Sequence, residues 1–123
     1  MRAPLPALRT GGMILVAVRD LVFRSKIHAA AERLGVAVRF APRGTPLPEA
    51  ARGAAGATLL ADLSEPGTID GVREAKRGGP LRVIGYLGHL QDDLRVRALE
   101  AGVDEVLTRG QLVGRLDEIL RAG

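Results

Sequence analysis

The sequence predicts a single α/β domain built on a parallel sheet, on three grounds. The chain has 123 residues, which is room for one domain with one hydrophobic core. Five short apolar runs alternate with five segments of helical pattern, as expected of a parallel sheet covered by helices on both faces. The spacing between them is short, and right-handed crossovers at this chain length favour the doubly wound, flavodoxin-like arrangement with strand order 2-1-3-4-5.

The predicted strands are short runs rich in aliphatic residues. The first run is apolar at every position, which is typical of a strand buried on both faces of a sheet. The third run ends on a carboxylate, Asp62. The five predicted strands are Met13–Val18, Val36–Ala41, Ala57–Asp62, Leu81–Tyr86 and Asp104–Thr108.

The predicted helices follow from apolar spacing and from stop signals. In the first helix, Phe23, Ile27 and Leu34 recur at helical intervals, and Gly35 follows as a stop. Asp20 directly precedes this helix and is predicted as its N-cap, with a metal ligand as the alternative. The five predicted helices are Leu21–Leu34, Pro48–Ala55, Thr68–Lys76, Gln91–Ala101 and Gln111–Arg121.

Residues 1–12 are predicted to be a disordered lead, and residues 13–123 the folded domain. The lead contains Pro, Gly and Arg without periodicity, and Met13 is hypothesised to be the natural start. No apolar run has signal-peptide or membrane-span character, and the chain has no cysteine, which excludes disulfides and thiolate sites. A cytoplasmic protein that does not act on membranes is expected.

Positive charge is in excess, with 18 Lys and Arg against 14 Asp and Glu. Such an excess admits a nucleic-acid-binding protein as an alternative function. The arginines are nevertheless spread along the chain, without a basic run and without aromatic residues beside them for base stacking. Solvated surface arginine is therefore the favoured interpretation.

Function is expected at the carboxyl ends of the predicted strands, where ligands bind in sheets of this kind. The residues at those ends are Arg19, Asp20, Asp62–Pro66, Leu87–His89 and Arg109. His28 and His89 are single histidines without a companion at metal-ligand spacing. No catalytic constellation is present, so we predict neither an enzyme nor a bound metal or cofactor.

Several segments resemble the receiver domains of two-component response regulators. Asp62–Gly67 is similar to the phosphoacceptor segment of that family, in which an aspartate ends strand 3 and a proline lies four residues on. Arg95–Thr108 is similar to its fourth helix and fifth strand, and Ala31–Gly35 to the end of its first helix. The resemblance covers residues 13–121 and implies the same fold.

The resemblance also implies a role for each residue at the strand ends. It makes Asp62 the equivalent of the phosphoacceptor. The two acidic residues that hold Mg²⁺ in the family fall on Val18 and Arg19, and Asp20 corresponds to the next position. Arg109 replaces the family's lysine. The remaining correspondences place Leu87 at the Thr or Ser after strand 4, Val106 at the switch aromatic, and Gly110 at the proline after the lysine.

These replacements predict a degenerate receiver, or pseudo-receiver. Phosphoryl transfer to a carboxylate depends on positioning and on charge neutralisation by Mg²⁺ and a cation. We hypothesise that Arg19 or Arg109 pairs with Asp62 in place of the metal. The alternative is that Asp62 only caps the turn after its strand while both arginines face solvent.

The predicted function is a stand-alone signalling module that binds another protein, including a second copy of itself as a homodimer. We predict that it is not phosphorylated in the conventional Mg²⁺-dependent way. Two alternatives stay open: a basic nucleic-acid-binding protein, and a conventional phosphoacceptor at Asp62.

Overall fold

The computed structural model of the protein describes residues 13–54, 56–88 and 92–122. It contains one five-stranded parallel sheet with the order β2-β1-β3-β4-β5, which confirms the predicted topology. The predicted lead, residues 1–12, lies outside the described residues, as do Ala55, His89 and Gln91. The strands are β1 (Ile14–Ala17), β2 (Val38–Phe40), β3 (Thr58–Asp62), β4 (Arg82–Leu87) and β5 (Glu105–Thr108).

Helices cover both faces of the sheet. The first matches its predicted bounds and ends at Gly35, whose φ of 69° is the left-handed conformation that glycine adopts readily. No described helix is long and apolar enough to cross a membrane. The helices are α1 (Leu21–Leu34), α2 (Leu47–Ala50), α3 (Thr68–Arg77), α4 (Asp92–Ala101), α5 (Arg109–Gly114) and α6 (Leu116–Ala122).

Two predicted helices are corrected by the structure. The second is a single turn that ends at Ala50, and Gly53 then takes a φ of 80°, which an α-helix cannot contain. The last is divided at Arg115, whose φ of −111° and ψ of 10° lie outside the helical region. Its first part also begins earlier than predicted, because Thr108 and Gln111 form a capping box that starts α5 at Arg109.

Alternating side chains of the strands build two hydrophobic layers. Ile14 and Val16 face α1, α5 and α6, whereas Leu15 faces α2, α3 and α4. Phe23 and Ile27 of α1 complete the first layer. Because all five strands run in the same direction, their carboxyl ends lie along one edge of the sheet, here called the carboxyl edge.

Candidate functional site

The carboxyl edge brings together the residues that the sequence placed there. Ala17 is in register with Ala61, Asp62 with Tyr86, and Leu87 with Thr108. The residues that follow β1 therefore lie beside those that follow β3, and Arg109 follows β5 directly. The candidate site consists of Arg19, Asp20, Asp62, Leu87 and Arg109.

Asp20 is engaged through both of its carboxylate oxygens. Its Oδ1 accepts hydrogen bonds from the backbone amides of Val22 (2.9 Å) and Phe23 (3.3 Å), which confirms the predicted N-cap. Its Oδ2 accepts a hydrogen bond of 2.6 Å from Nη2 of Arg109. The Arg109 guanidinium and the capping amides hold the pKa of Asp20 below its usual value. The carboxylate is therefore ionised at neutral pH, and both of its oxygens already accept hydrogen bonds.

Arg109 is held from two directions. Besides its bond to Asp20, its guanidinium carbon lies 4.9 Å from the centroid of the Phe23 ring, a cation–π geometry. The hydrogen bond with Asp20 raises the pKa of Arg109. The side chain thus bridges α5 and the start of α1.

Among the described residues, the Asp62 carboxylate is bound only by its own turn. Its Oδ1 accepts a hydrogen bond of 2.9 Å from the backbone amide of Ser64. Within the described part of the chain, no arginine or lysine nitrogen lies within 4 Å of its carboxylate. Arg19 instead pairs with Glu65 at 3.5 Å. The hypothesis that Arg19 or Arg109 pairs with Asp62 is wrong. Arg19 pairs with Glu65 instead, and Arg109 pairs with Asp20.

The alternative interpretation was that Asp62 only caps its turn while both arginines face solvent. It is correct for Asp62 and wrong for the arginines. Asp62 caps the turn after β3, as that alternative proposed. The two guanidinium groups do not simply face solvent, since Glu65 binds one and Asp20 the other. Both pairs are partly exposed and contribute little to stability. Their effect is that neither guanidinium forms an ion pair with Asp62.

Two aliphatic residues occupy positions that carry oxygen ligands in receivers. Val18 and Leu87 are each 1% exposed. Val18 packs into the layer beneath α1, and Leu87 into the layer beneath α3 and α4, where half-buried Val106 also packs. Neither offers an oxygen atom to the site.

Tyr86 is a feature of the site that the sequence reasoning missed. It is 2% exposed, and its ring meets Phe23 edge-on at 5.1 Å between centroids. Its hydroxyl is buried and has no hydrogen-bond partner among the described residues. Burial raises the pKa of Tyr86, and the negative charge of Asp62 raises it further. The signal was present in the sequence, because this tyrosine is the last residue of a predicted buried strand.

These residues do not fit a magnesium ion. Mg²⁺ requires oxygen ligands in near-octahedral geometry. Of the acidic residues at the edge, Asp20 has both oxygens engaged and Asp62 has one engaged. Across residues 13–54, 56–88 and 92–122, no three His, Asp or Glu side chains cluster as a metal-binding group. His28 faces Glu32 at 3.7 Å on the exposed side of α1, away from the edge.

Comparison with solved structures identifies the fold as that of response-regulator receivers. A response regulator protein from Burkholderia pseudomallei, solved with a phosphorylated aspartic acid, calcium ion and citrate, aligns with a TM-score of 0.73 and 21% identity. The alignment covers 89% of this chain and 66% of that chain, so this chain spans just under two thirds of its length.

Two further receivers align over almost their whole length. The Francisella response regulator 1452 receiver domain has a TM-score of 0.69 at 18% identity, with 89% of this chain and 93% of that one covered. An orphan response regulator of H. pylori has a TM-score of 0.70 at 16% identity, with coverage of 92% and 99%. No protein-family model matches the chain, and no curated protein matches it. The likeness therefore establishes the receiver fold.

Proposed function

We propose that this protein is a signalling module with the receiver fold that acts by binding another protein, without conventional Mg²⁺-dependent phosphorylation of Asp62. The observation that carries the proposal is the Asp20–Arg109 ion pair of 2.6 Å. It engages Asp20, the acidic residue next to the family's metal positions, and it engages Arg109, the residue at the family's lysine position, with a partner other than Asp62.

Chemistry at Asp62 lacks two of its usual supports. A carboxylate accepts a phosphoryl group readily only when a metal and a cation neutralise the developing charge. Arg19 stands where an acidic ligand would be needed, and Leu87 is a buried hydrocarbon where a hydroxyl would be needed. Both replacements work against metal-assisted phosphorylation.

The test is incubation with acetyl phosphate and Mg²⁺, followed by intact mass measurement. We expect no phosphate adduct on the wild-type protein. An adduct that is absent from an Asp62→Ala variant would overturn the proposal and identify a working phosphoacceptor.

A matched variant tests whether the metal site is what has been lost. Arg19→Asp combined with Arg109→Gln removes the charged partner of the Asp20 carboxylate and places three carboxylates, at positions 19, 20 and 62, at the edge. We expect this double variant to bind Mn²⁺, used as a paramagnetic probe of Mg²⁺ sites, with selective broadening of amide signals around Asp62. The wild-type protein serves as the control and should show no such broadening.

Exposed apolar residues on α4 support protein binding. Val96 is 51% exposed and Leu99 is 42% exposed, one helical turn apart on the same helix. The receiver resemblance implies that the fourth helix, fifth strand and fifth helix contact partners. We propose a second copy of this chain as the occupant of this face.

Sedimentation equilibrium tests the self-association. We expect a concentration-dependent dimer that Val96→Glu abolishes. Val22→Glu is the matched control, because Val22 is 74% exposed on α1, in the opposite helical layer. A protein that stays monomeric at every concentration would overturn the dimer.

The nucleic-acid alternative is less well supported by the charges. Six arginines lie within 4 Å of a carboxylate: Arg19, Arg33, Arg73, Arg82, Arg109 and Arg115. Much of the positive charge is thus paired within the protein. Binding of duplex DNA that weakens steeply with salt would favour the alternative.

A further inference from the structure

A groove of about 590 Å³ opens on the carboxyl edge beside the candidate site. Its walls are the residues after β1, the loop between β2 and α2, and the loop between β3 and α3. Of the candidate site, Arg19 lines this groove, whereas Asp20, Asp62, Leu87 and Arg109 do not. Because β1 lies between β2 and β3, the groove is at the point where the strand order reverses, a common location for ligands in sheets of this type.

Arg24 is a fixed positive charge in this groove. Its Nη1 donates to the carbonyl oxygens of Val18 (2.8 Å) and Ala41 (3.2 Å), at the ends of neighbouring strands. Its guanidinium carbon lies 5.0 Å from the centroid of the Phe40 ring. Its Nη2 and Nε have no hydrogen-bond partner, and no carboxylate pairs with it, within the described residues. The side chain is therefore oriented by the fold while most of its donors stay available.

Three more arginines line the groove: Arg19, Arg43 and Arg52. Arg43 is exposed in the loop after β2 and forms no ion pair with any described residue. Arg19 pairs only loosely, at 3.5 Å, with Glu65. The first turn of α3 also borders the groove, beginning after Gly67 without a side-chain cap. Arg24 and Arg43 are therefore the guanidinium groups with donors available for a ligand.

Four acidic residues also line the groove, equal in number to its four arginines. Glu65 is engaged by Arg19, and Asp70 by Arg73 at 3.0 Å. Glu74 also lines a second cavity of about 380 Å³, and Glu49 forms no ion pair with a described residue. The lining is therefore balanced in net charge, and what favours an anion here is the guanidinium donors of Arg24 and Arg43, which have no carboxylate partner among the described residues.

We propose that this groove binds a small molecule through a phosphate group, held by Arg24 and Arg43. A guanidinium with two free donor nitrogens matches the oxygens of a phosphate in a bidentate arrangement. The volume exceeds what a single anion needs and lies in the range of small-molecule sites. Binding of a ligand in this groove does not require phosphorylation of Asp62. This proposal and the proposed function can therefore be tested and overturned separately.

The test is titration of the full chain with inorganic phosphate, adenosine monophosphate and adenosine, followed by amide NMR and calorimetry. We expect adenosine monophosphate to shift the amide signals of Gly44, Thr45 and Thr68, and adenosine to leave them unchanged. Equal binding of inorganic phosphate would identify the phosphate group alone as the ligand, and tighter binding of the ester would identify a phosphorylated molecule. Both results support the site.

Two variants and two controls complete the test. We expect Arg24→Gln and Arg43→Gln each to weaken binding about tenfold, the loss of one charge-assisted hydrogen-bonded contact. Arg43 is exposed, so its substitution leaves folding intact even if Arg24→Gln does not. Arg121→Gln on α6 and Arg97→Gln on α4, both exposed and outside the groove, should bind normally. Absence of phosphate-dependent shifts, or unchanged affinity in Arg43→Gln and Arg24→Gln, would overturn the proposal.

Discussion

On the side of β4 and β5 the carboxyl edge of the sheet is closed by packed side chains, whereas on the side of β1 and β2 it is an open groove. In the closed half, Arg109 bonds to Asp20 and stacks on Phe23, which in turn meets Tyr86. In the open half, Arg24 is bonded to carbonyl oxygens and keeps donors available.

The contrast indicates where ligand chemistry is to be expected on this fold. The positions at which the family holds its metal fall in both halves, since Asp20 pairs with Arg109 in the closed half while Val18 and Arg19 line the groove. The open half also contains two guanidinium groups, those of Arg24 and Arg43, that have no carboxylate partner among the described residues. Substitutions at a surface edge change chemistry at little cost to the fold, because exposed ion pairs contribute about 0–1 kcal/mol.

The largest expected effect is a difference in the free energy of unfolding between substitutions in the closed half and in the open half. Phe23→Ala should lower the free energy of unfolding by about 3–5 kcal/mol, because the ring is 1% exposed and supports both Tyr86 and Arg109. Leu47→Ala, in the half-buried wall of the open groove, should cost about 1–2 kcal/mol. Denaturant unfolding followed by circular dichroism gives both values. Equal losses would show that the open half is packed as firmly as the closed one.

A smaller effect of opposite sign is expected at Tyr86. Tyr86→Phe removes a buried hydroxyl that has no partner among the described residues, so the free energy of unfolding should rise by about 1 kcal/mol. A fall in stability would mean that the hydroxyl is hydrogen-bonded in the native protein.

The single tyrosine also provides an optical test of the same burial. Because the chain has one Tyr and no Trp, alkaline absorbance titration reports Tyr86 alone. Burial raises the pKa of Tyr86, so stability should fall as the pH rises above the ordinary tyrosine value of about 10. Phenolate should therefore form only as the protein unfolds. The Tyr86→Phe variant should not show this loss of stability at alkaline pH.

The sheet could be predicted from the sequence because its three central strands, β1, β3 and β4, are almost fully buried. An uninterrupted run such as Met13–Val18 allows few alternatives to a central parallel strand. The division of the last helix was missed, although Gly114, the last residue of α5, is a stop signal within the predicted helix. The apolar spacing of the following residues continues through it, and this spacing hid the break at Arg115. The ion pair of Arg115 with Glu105 joins residues of two elements.

The residues of the site could be predicted from the sequence, but the ion pairs that they form with one another could not. The position of Asp20 before an apolar periodic segment was enough to identify a helix cap. Its bond to Arg109 joins residues 89 positions apart, which spacing alone does not reveal. The Thr108–Gln111 capping box was a usable signal, because it places Arg109 on the first turn of a helix, close to the edge.

The smallest expected effect tests whether the Asp20–Arg109 pair keeps the closed half in place. Asp20→Asn preserves a capping oxygen but removes the charge, so the variant should be slightly less stable than the wild type at pH 7. Because the pKa of Asp20 is lowered by folding, its contribution is present above about 3.8, the unfolded value, and is lost as the pH falls below it. Urea unfolding at pH 7 and pH 3 should therefore show a difference that becomes smaller in acid.

Two comparisons make this last measurement specific to the pair. Asp20→Ala removes the cap as well and should be less stable than Asp20→Asn at both pH values. Asp117→Asn removes a similarly exposed pair with Arg33 on α6, far from the carboxyl edge. If Asp20→Asn but not Asp117→Asn also broadens the amide signals of Asp62 and Ser64, the released Arg109 has gained access to Asp62. Unchanged signals in both variants would show that the aromatic stack with Phe23, rather than the ion pair, fixes Arg109.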